Sequence, residues 1–197
     1  NVELIQMDIL EVHLLKEKFD IIECGGVLHH MSNPSEGLKK LLSILKDNGL
    51  LKLGLYSKLA RQDIIKARNY ITTKNLQTKG DNDDTIRNFR EVVFSGKLSE
   101  LNSLKEYADF YTLSSCRDLC FHAQEHRFTL QQLQEMLHSN GLEFLGFYLP
   151  TSIKSVYKKY FPKDKKQTNL QNWEKFEEEH PTTFAGMYQF WVYKTKI

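Results

Sequence analysis

The side chains of His122, Gln124, Glu125, His126 and Arg127 form the densest polar cluster in the chain. Cys116 and Cys120 precede them, so the run reads Cys-x3-Cys-x-His-x3-His and raises the question of a metal. Helix geometry argues against it. On a continuous helix the cysteines lie within ~40° of each other, with the histidines roughly 200–240° away. The helix would have to break between Cys120 and His122, so no metal site is expected. The cluster then either binds a substrate or forms a structural salt-bridge network. His29 and His30 are a second candidate. Adjacent residues at a helix start point in different directions, so one faces a pocket while the other packs or is solvated. A histidine there can act as a general base, and it can equally be a packing residue. Tyr56 offers a phenol that either orients a substrate or caps the core. Gly25-Gly26 permits close approach of backbone to a ligand, or simply a tight turn. Asp8 alone reads as a turn aspartate. Lysines from Lys154 to Lys166, interrupted by Tyr157, Tyr160 and Phe161, read as the solvated face of an amphipathic helix rather than a single-strand nucleic-acid surface.

These residues need elements to place them. Residues 2–7 read as a strand ending at Asp8, and residues 19–24 as a second with β-branched residues at its centre. A helix follows. Asn33 caps it, Pro34 fits its first turn, Glu36 suits the macrodipole, and Leu38, Leu41, Leu42 and Leu45 form its apolar face. Asn48-Gly49 stops it. Residues 50–56 are a nearly all-apolar strand, as expected for one buried on both faces. This alternation predicts a parallel sheet with helical crossovers, and active sites in such sheets lie beyond the carboxyl ends of the strands. Asp8, Cys24 to His30, and Tyr56-Ser57 all fall there.

From residue 58 charge rises. Helices are expected near 60–73 and 84–95, with a polar break at residues 79–84. The stretch is too long for a loop and reads as a helical insertion or lid over the strand ends, with His122, Glu125 or Arg127 reaching toward Tyr56. Thr129 and Gln132 then make a capping-box signature, and Gly141 closes that helix. A strand at 142–149, short helices near 152–160 and 170–179, and an aromatic-rich strand at 184–194 complete the chain. The expected divisions are 1–57, 58–128 and 129–197.

The 197 residues, 41% hydrophobic and 12% aromatic, suffice for a buried core. Lys+Arg 27 against Asp+Glu 25, a net charge of +2, gives no push toward nucleic acid or membrane. No apolar run approaches the ~18 residues of a membrane helix. Three cysteines make no disulfide framework, and a reducing, cytoplasmic setting is expected.

The order of parts resembles the second half of a class I S-adenosylmethionine-dependent methyltransferase. The residues concerned are Asp8-Ile9-Leu10, then Phe19-Asp-Ile-Ile-Glu-Cys-Gly-Gly-Val-Leu-His-His-Met31, Asn33-Pro34, the Leu-rich helix and the apolar strand. Leu53-Gly54-Leu55-Tyr56-Ser57, the stretch from Arg117 to Arg127, and Met187-Tyr188-Gln189-Phe190-Trp191 resemble a bacterial subgroup often found downstream of tetratricopeptide repeats. The resemblance implies an α/β fold: part of a Rossmann-like sheet with helices on both faces, an antiparallel last strand and a helical insertion. It implies S-adenosyl-L-methionine as cofactor and an unidentified O, N or C nucleophile as methyl acceptor. Asp8 and Ile9 are then expected to hold adenine, with Cys24, Gly25 and His29 also on the cofactor. His30, Tyr56, Glu125 and His126 are expected to serve catalysis, and His122 and Arg127 the substrate. The family's Gly-rich loop and ribose-binding acid have no match after Asn1, so the chain reads as a truncated, C-terminal portion. Its first strand is then expected to lack its neighbours and either to cause aggregation or to re-pair with residues 19–24 or a second copy. Two other readings stand beside the enzyme. One is a non-catalytic methyltransferase-like module attached to a repeat protein. The other is a nicotinamide-dependent oxidoreductase, for which an antiparallel final strand would be unusual.

Overall fold

The computed structural model describes residues 2–76 and 82–195. They fall into two compact units: residues 1–60 with 124–197, and residues 61–123.

The first unit is built on a mixed four-stranded sheet. Its strands are β1 (Phe19–Gly25), β2 (Leu45–Leu55), β3 (Leu142–Phe147) and β4 (Tyr188–Lys194), in spatial order β1-β2-β4-β3. β1 and β2 run parallel, and β4 is antiparallel to both β2 and β3. On one face Leu51, Leu53, Leu55, Tyr188, Phe190 and Val192 alternate inward and are essentially sealed from solvent. The opposite face carries Lys52, ion-paired to Glu23 at 2.6 Å, with Trp191 beside it in register. β2 is therefore covered fully on one face only, not on both.

Helix α1 (Pro34–Ile44) begins as its residues dictate. Asn33 accepts the backbone N–H of Glu36 at 3.3 Å, and Pro34 opens the first turn. It ends at Ile44, before Asn48-Gly49. The Lys194 ammonium takes the terminal carbonyls of Leu42 and Leu45 at 3.2 and 3.1 Å, which satisfies the helix end early. Asn48, at φ 64°, instead turns an irregular stretch inside β2, where Phe19 pairs with Leu45 but Ile21 with Leu50. Helices α5 (Leu130–Ser139), α6 (Thr151–Tyr160) and α7 (Leu170–Glu179) follow the insertion, and the capping box of Thr129 and Gln132 is complete.

Residues 2–7 do not form a strand. An extended segment needs a ladder partner for its backbone groups, and none is present among the described residues. Val2 and Leu4 are 87% and 94% exposed, and the segment does not re-pair with residues 19–24. The chain enters regular structure at a 3-10 helix, Ile9–Leu15, capped by Asp8.

The second unit has its own core. Between α2 (Gln62–Thr73) and α3 (Asp83–Phe94) lies the polar break, of which residues 79–81 fall outside the described residues. Phe89 meets Phe110 and Phe121 edge-on at 6.1 and 5.5 Å. A short helix, α4 (Leu113–Cys116), runs into a π-helical turn at Arg117–Phe121. No described helix is long and apolar enough to cross a membrane.

Candidate active site

The carboxyl ends of β1 and β2 are held close by glycine. A Cβ on Gly54 would come 3.1 Å from the Cα of Gly25 and 2.6 Å from Met187 Sδ, so β2 needs glycine there to approach β1. Gly25 and Gly26 face the other way. A Cβ on either would meet nothing within 4 Å, and Gly26 takes a left-handed φ of 77°. The backbone at the end of β1 thus borders open space. The Cys24 side chain lies in the core, and burial pushes its thiol up from the usual range.

Past this turn, a short 3-10 segment (Leu28–His30) presents both histidines to Tyr56. The His29 ring is fully buried, with its centroid 3.8 Å from that of Tyr56 and a tilt of 31°. His30 meets the same ring edge-on at 5.7 Å. Its Nδ1 lies 3.1 Å from the Gln124 carbonyl, so it is the nitrogen that carries hydrogen. In the neutral tautomer set by this contact the lone pair is on Nε2, the form a general base needs.

The segment after Ala123 closes the group. The His126 N–H donates to the His29 carbonyl at 2.7 Å, and the Phe128 N–H to the Tyr56 carbonyl at 2.9 Å. Ser57 and Phe128 form a parallel bridge. The Glu125 side chain has no exposed area, and its carboxylate is 3.7 Å from Arg127. His29, His30, Tyr56, Glu125, His126 and Arg127 are therefore placed by one backbone framework. His122 belongs to the second unit, where its carbonyl accepts from Arg68 at 2.7 Å. The helical run does break at His122, and among the described residues no three His, Cys, Asp or Glu side chains are placed to hold a metal. Asp8 caps the first 3-10 helix through the Leu10 N–H at 2.8 Å, and Ile9 packs on the core.

Sequence reading missed one residue. Glu177 of α7 is 3% exposed, and it accepts from Ser57 Oγ at 2.5 Å and from the Tyr188 hydroxyl at 2.6 Å. The available signal was a charge on the apolar stripe of α7, four residues after Trp173. Burial pushes the Glu177 carboxyl up from its ordinary 4.5, and the hydrogen bonds from Ser57 and Tyr188 pull it partly back. Burial and the neighbouring carboxylate raise the Tyr188 phenol as well.

This has a pH consequence. Below 4.5 the folded and unfolded forms both hold the Glu177 proton. As pH rises past that value the unfolded chain releases its proton first, so the Glu177 contribution turns against the fold until the folded group also ionises. The stability of wild type relative to Glu177→Gln is expected to decline across this window. Urea midpoints for both proteins from about pH 4 to pH 8 measure it, and a flat difference contradicts it.

A groove of about 1090 Å³ lies elsewhere in the first unit, between α5, β3 and α7. It shares no lining residue with the His29–Tyr56 group, and the converging polar side chains, rather than this groove, define the site.

The sheet order and the antiparallel β4 are those expected of the second half of a class I methyltransferase fold. Known proteins agree. Residues 1–53 match a family described as a methyltransferase domain. An uncharacterized protein of Synechococcus sp. is 31% identical over 147 residues, covering 72% of this chain and 35% of that protein. Among solved structures, PKMT2 from Rickettsia typhi matches with a TM-score of 0.66 at 16% identity, covering 97% of this chain and 38% of that one. The same protein in complex with AdoHcy matches with a TM-score of 0.65, also at 16% identity, over 94% of this chain and 38% of that one. The chain thus spans little more than a third of the length of each of these relatives.

Proposed function

We propose that the protein of which this chain is part transfers a methyl group from S-adenosylmethionine to a nucleophilic O, N or C acceptor. The observation behind this reading is the convergence of His29, His30 and Tyr56 just past the open backbone of Gly25-Gly26, with the segment carrying Glu125 tied to His29 by its backbone, at the strand ends of a methyltransferase fold. The residues fit such a cofactor. Glycine leaves room for it at the end of β1, and Asp8 offers a carboxylate as acceptor for the adenine amine, with Ile9 an apolar neighbour. Cys24 and His29 shape the wall behind it. When bound, the cofactor supplies an electrophilic methyl group, and the protein aligns the acceptor and excludes water. His30, with its lone pair on Nε2, takes the acceptor's proton. Tyr56 orients the acceptor, Glu125 and His126 hold the polar wall opposite, and Arg127 contacts the rest of the substrate.

Calorimetric titration of S-adenosylmethionine into the full-length protein tests the reading. Binding is expected, and Asp8→Ala should weaken it about tenfold, the worth of one charge-assisted hydrogen bond. The same change removes a helix cap and costs about 1 kcal/mol of stability, which a melting curve separates from the binding effect. Absence of binding in the wild type would favour a non-catalytic module on the same fold.

A further inference from the structure

We propose that Glu177 is a positioning residue for Tyr56: its buried carboxylate fixes the exit of β2 so that the Tyr56 ring stays against His29. The connection is short. Tyr56 is followed by Ser57, whose hydroxyl donates to Glu177 Oε1 at 2.5 Å and accepts the Ala60 N–H at 3.0 Å. Glu177 Oε2 accepts from Tyr188 at 2.6 Å, which ties the carboxylate to β4. Ser57, Tyr188 and Glu177 are all buried, at 0%, 1% and 3% exposure.

Chemistry separates this from ordinary packing. A buried carboxylate is costly, and an apolar side chain of the same size would often serve stability as well or better. What an apolar side chain cannot do is hold two hydroxyls at set positions. With both oxygens accepting, Glu177 takes the hydrogen of Ser57 and leaves that oxygen's lone pair toward Ala60, so the turn leaving the strand closes in one geometry. On the other side, Phe128 receives from Lys58 and gives to Tyr56, both at 2.9 Å. Tyr56 is thus clamped between two backbone bonds and one buried carboxyl group. The ring contact with His29, at 3.8 Å between centroids, depends on that clamp. The catalytic half of this inference rests on the methyltransferase reading; the positioning half does not.

The test uses the full-length protein with carbon-13-labelled histidine, the His29 signal being assigned through His29→Gln. The Tyr56 ring current displaces the His29 ring protons, and Tyr56→Leu gives their position without it. Glu177→Gln keeps the side-chain shape but replaces one acceptor with a donor. It is expected to move the His29 signal well toward its position in Tyr56→Leu, and Ser57→Ala to move it in the same direction. Added to Tyr56→Leu, Glu177→Gln should move it no further, the non-additivity expected of residues acting through one another. The His138 signal, from α5, reports the fold. If it collapses in Glu177→Gln, Ser57→Ala decides alone. A His29 signal unmoved in the folded variants overturns the proposal. Turnover should fall roughly ten- to a hundredfold in Glu177→Gln, with affinity for S-adenosylhomocysteine unchanged. A wild type without binding or transfer, but with the expected His29 shifts, would sink the functional reading and still support the placement of Tyr56 by Glu177.

Discussion

Replacing Trp173 with alanine is expected to cost about 3–5 kcal/mol of stability, the range for a large aromatic removed from a closed core. Trp173 is fully buried on α7. Its ring stacks on Tyr157 of α6 at 3.7 Å and 17°, and meets Phe147 of β3 edge-on at 5.3 Å. Its indole N–H donates to the Gln167 carbonyl at 2.9 Å. The substitution therefore opens a cavity where three elements meet and leaves a carbonyl without its donor. The neighbours have little freedom to fill the space. The Tyr157 hydroxyl is held by Asp164 at 2.6 Å, and Phe147 is also packed against Phe184 and Phe190. Trp173→Phe should recover the larger part of the loss. Urea unfolding of the full-length protein measures both, and a cost below about 1 kcal/mol for alanine would mean that the core does not depend on this ring.

The second large effect is on turnover. His30→Ala and Glu125→Ala are each expected to lower methyl transfer about a hundredfold, the lower end of what a positioned proton-transfer group contributes. Affinity for S-adenosylhomocysteine should change far less, because neither group is assigned to the cofactor. For His30 the basis is the Gln124 carbonyl on Nδ1, which sets the ring's tautomer. For Glu125 it is a side chain without solvent exposure, 3.7 Å from Arg127, in the segment whose backbone is tied to His29 and Tyr56. Because Glu125→Ala also strands Arg127, Glu125→Gln should show the same loss of turnover with a smaller loss of stability. Unchanged turnover in both His30 and Glu125 variants would reduce these residues to packing and surface roles.

What could be read from the sequence was whatever local rules decide. Asn33-Pro34 and Thr129 with Gln132 are caps whose partners lie within three residues, and they form as expected. The four strands from Phe19 onward have patterns strong enough to locate. The failures came where distant residues decide. Residues 2–7 have a strand's composition but no neighbour to pair with. The end of α1 is set by Lys194, far along the chain, so Asn48-Gly49 misled. The site divides the same way. His29, His30 and Tyr56 follow the carboxyl ends of the parallel pair β1 and β2, where sequence reading looks first, and the structure brings their rings together. Glu177 was not legible, because nothing local distinguishes a helix glutamate that meets Ser57 and Tyr188 from one facing water.

The place of β4 has a consequence for biosynthesis. Among the four described strands, the last in chain order lies between β2 and β3, and pairs with both. Until residues 188–194 have been translated and released, β2 and β3 each present an open edge, and Leu51, Leu53 and Leu55 lack the cover of Phe190 and Val192. Nascent chains stalled before Tyr188 therefore expose the kind of surface that chaperones bind and that drives aggregation. The sheet of the first unit is completed only after its final strand clears the ribosome. The second unit, whose buried core residues lie within residues 61–123, is free to form its core well before that.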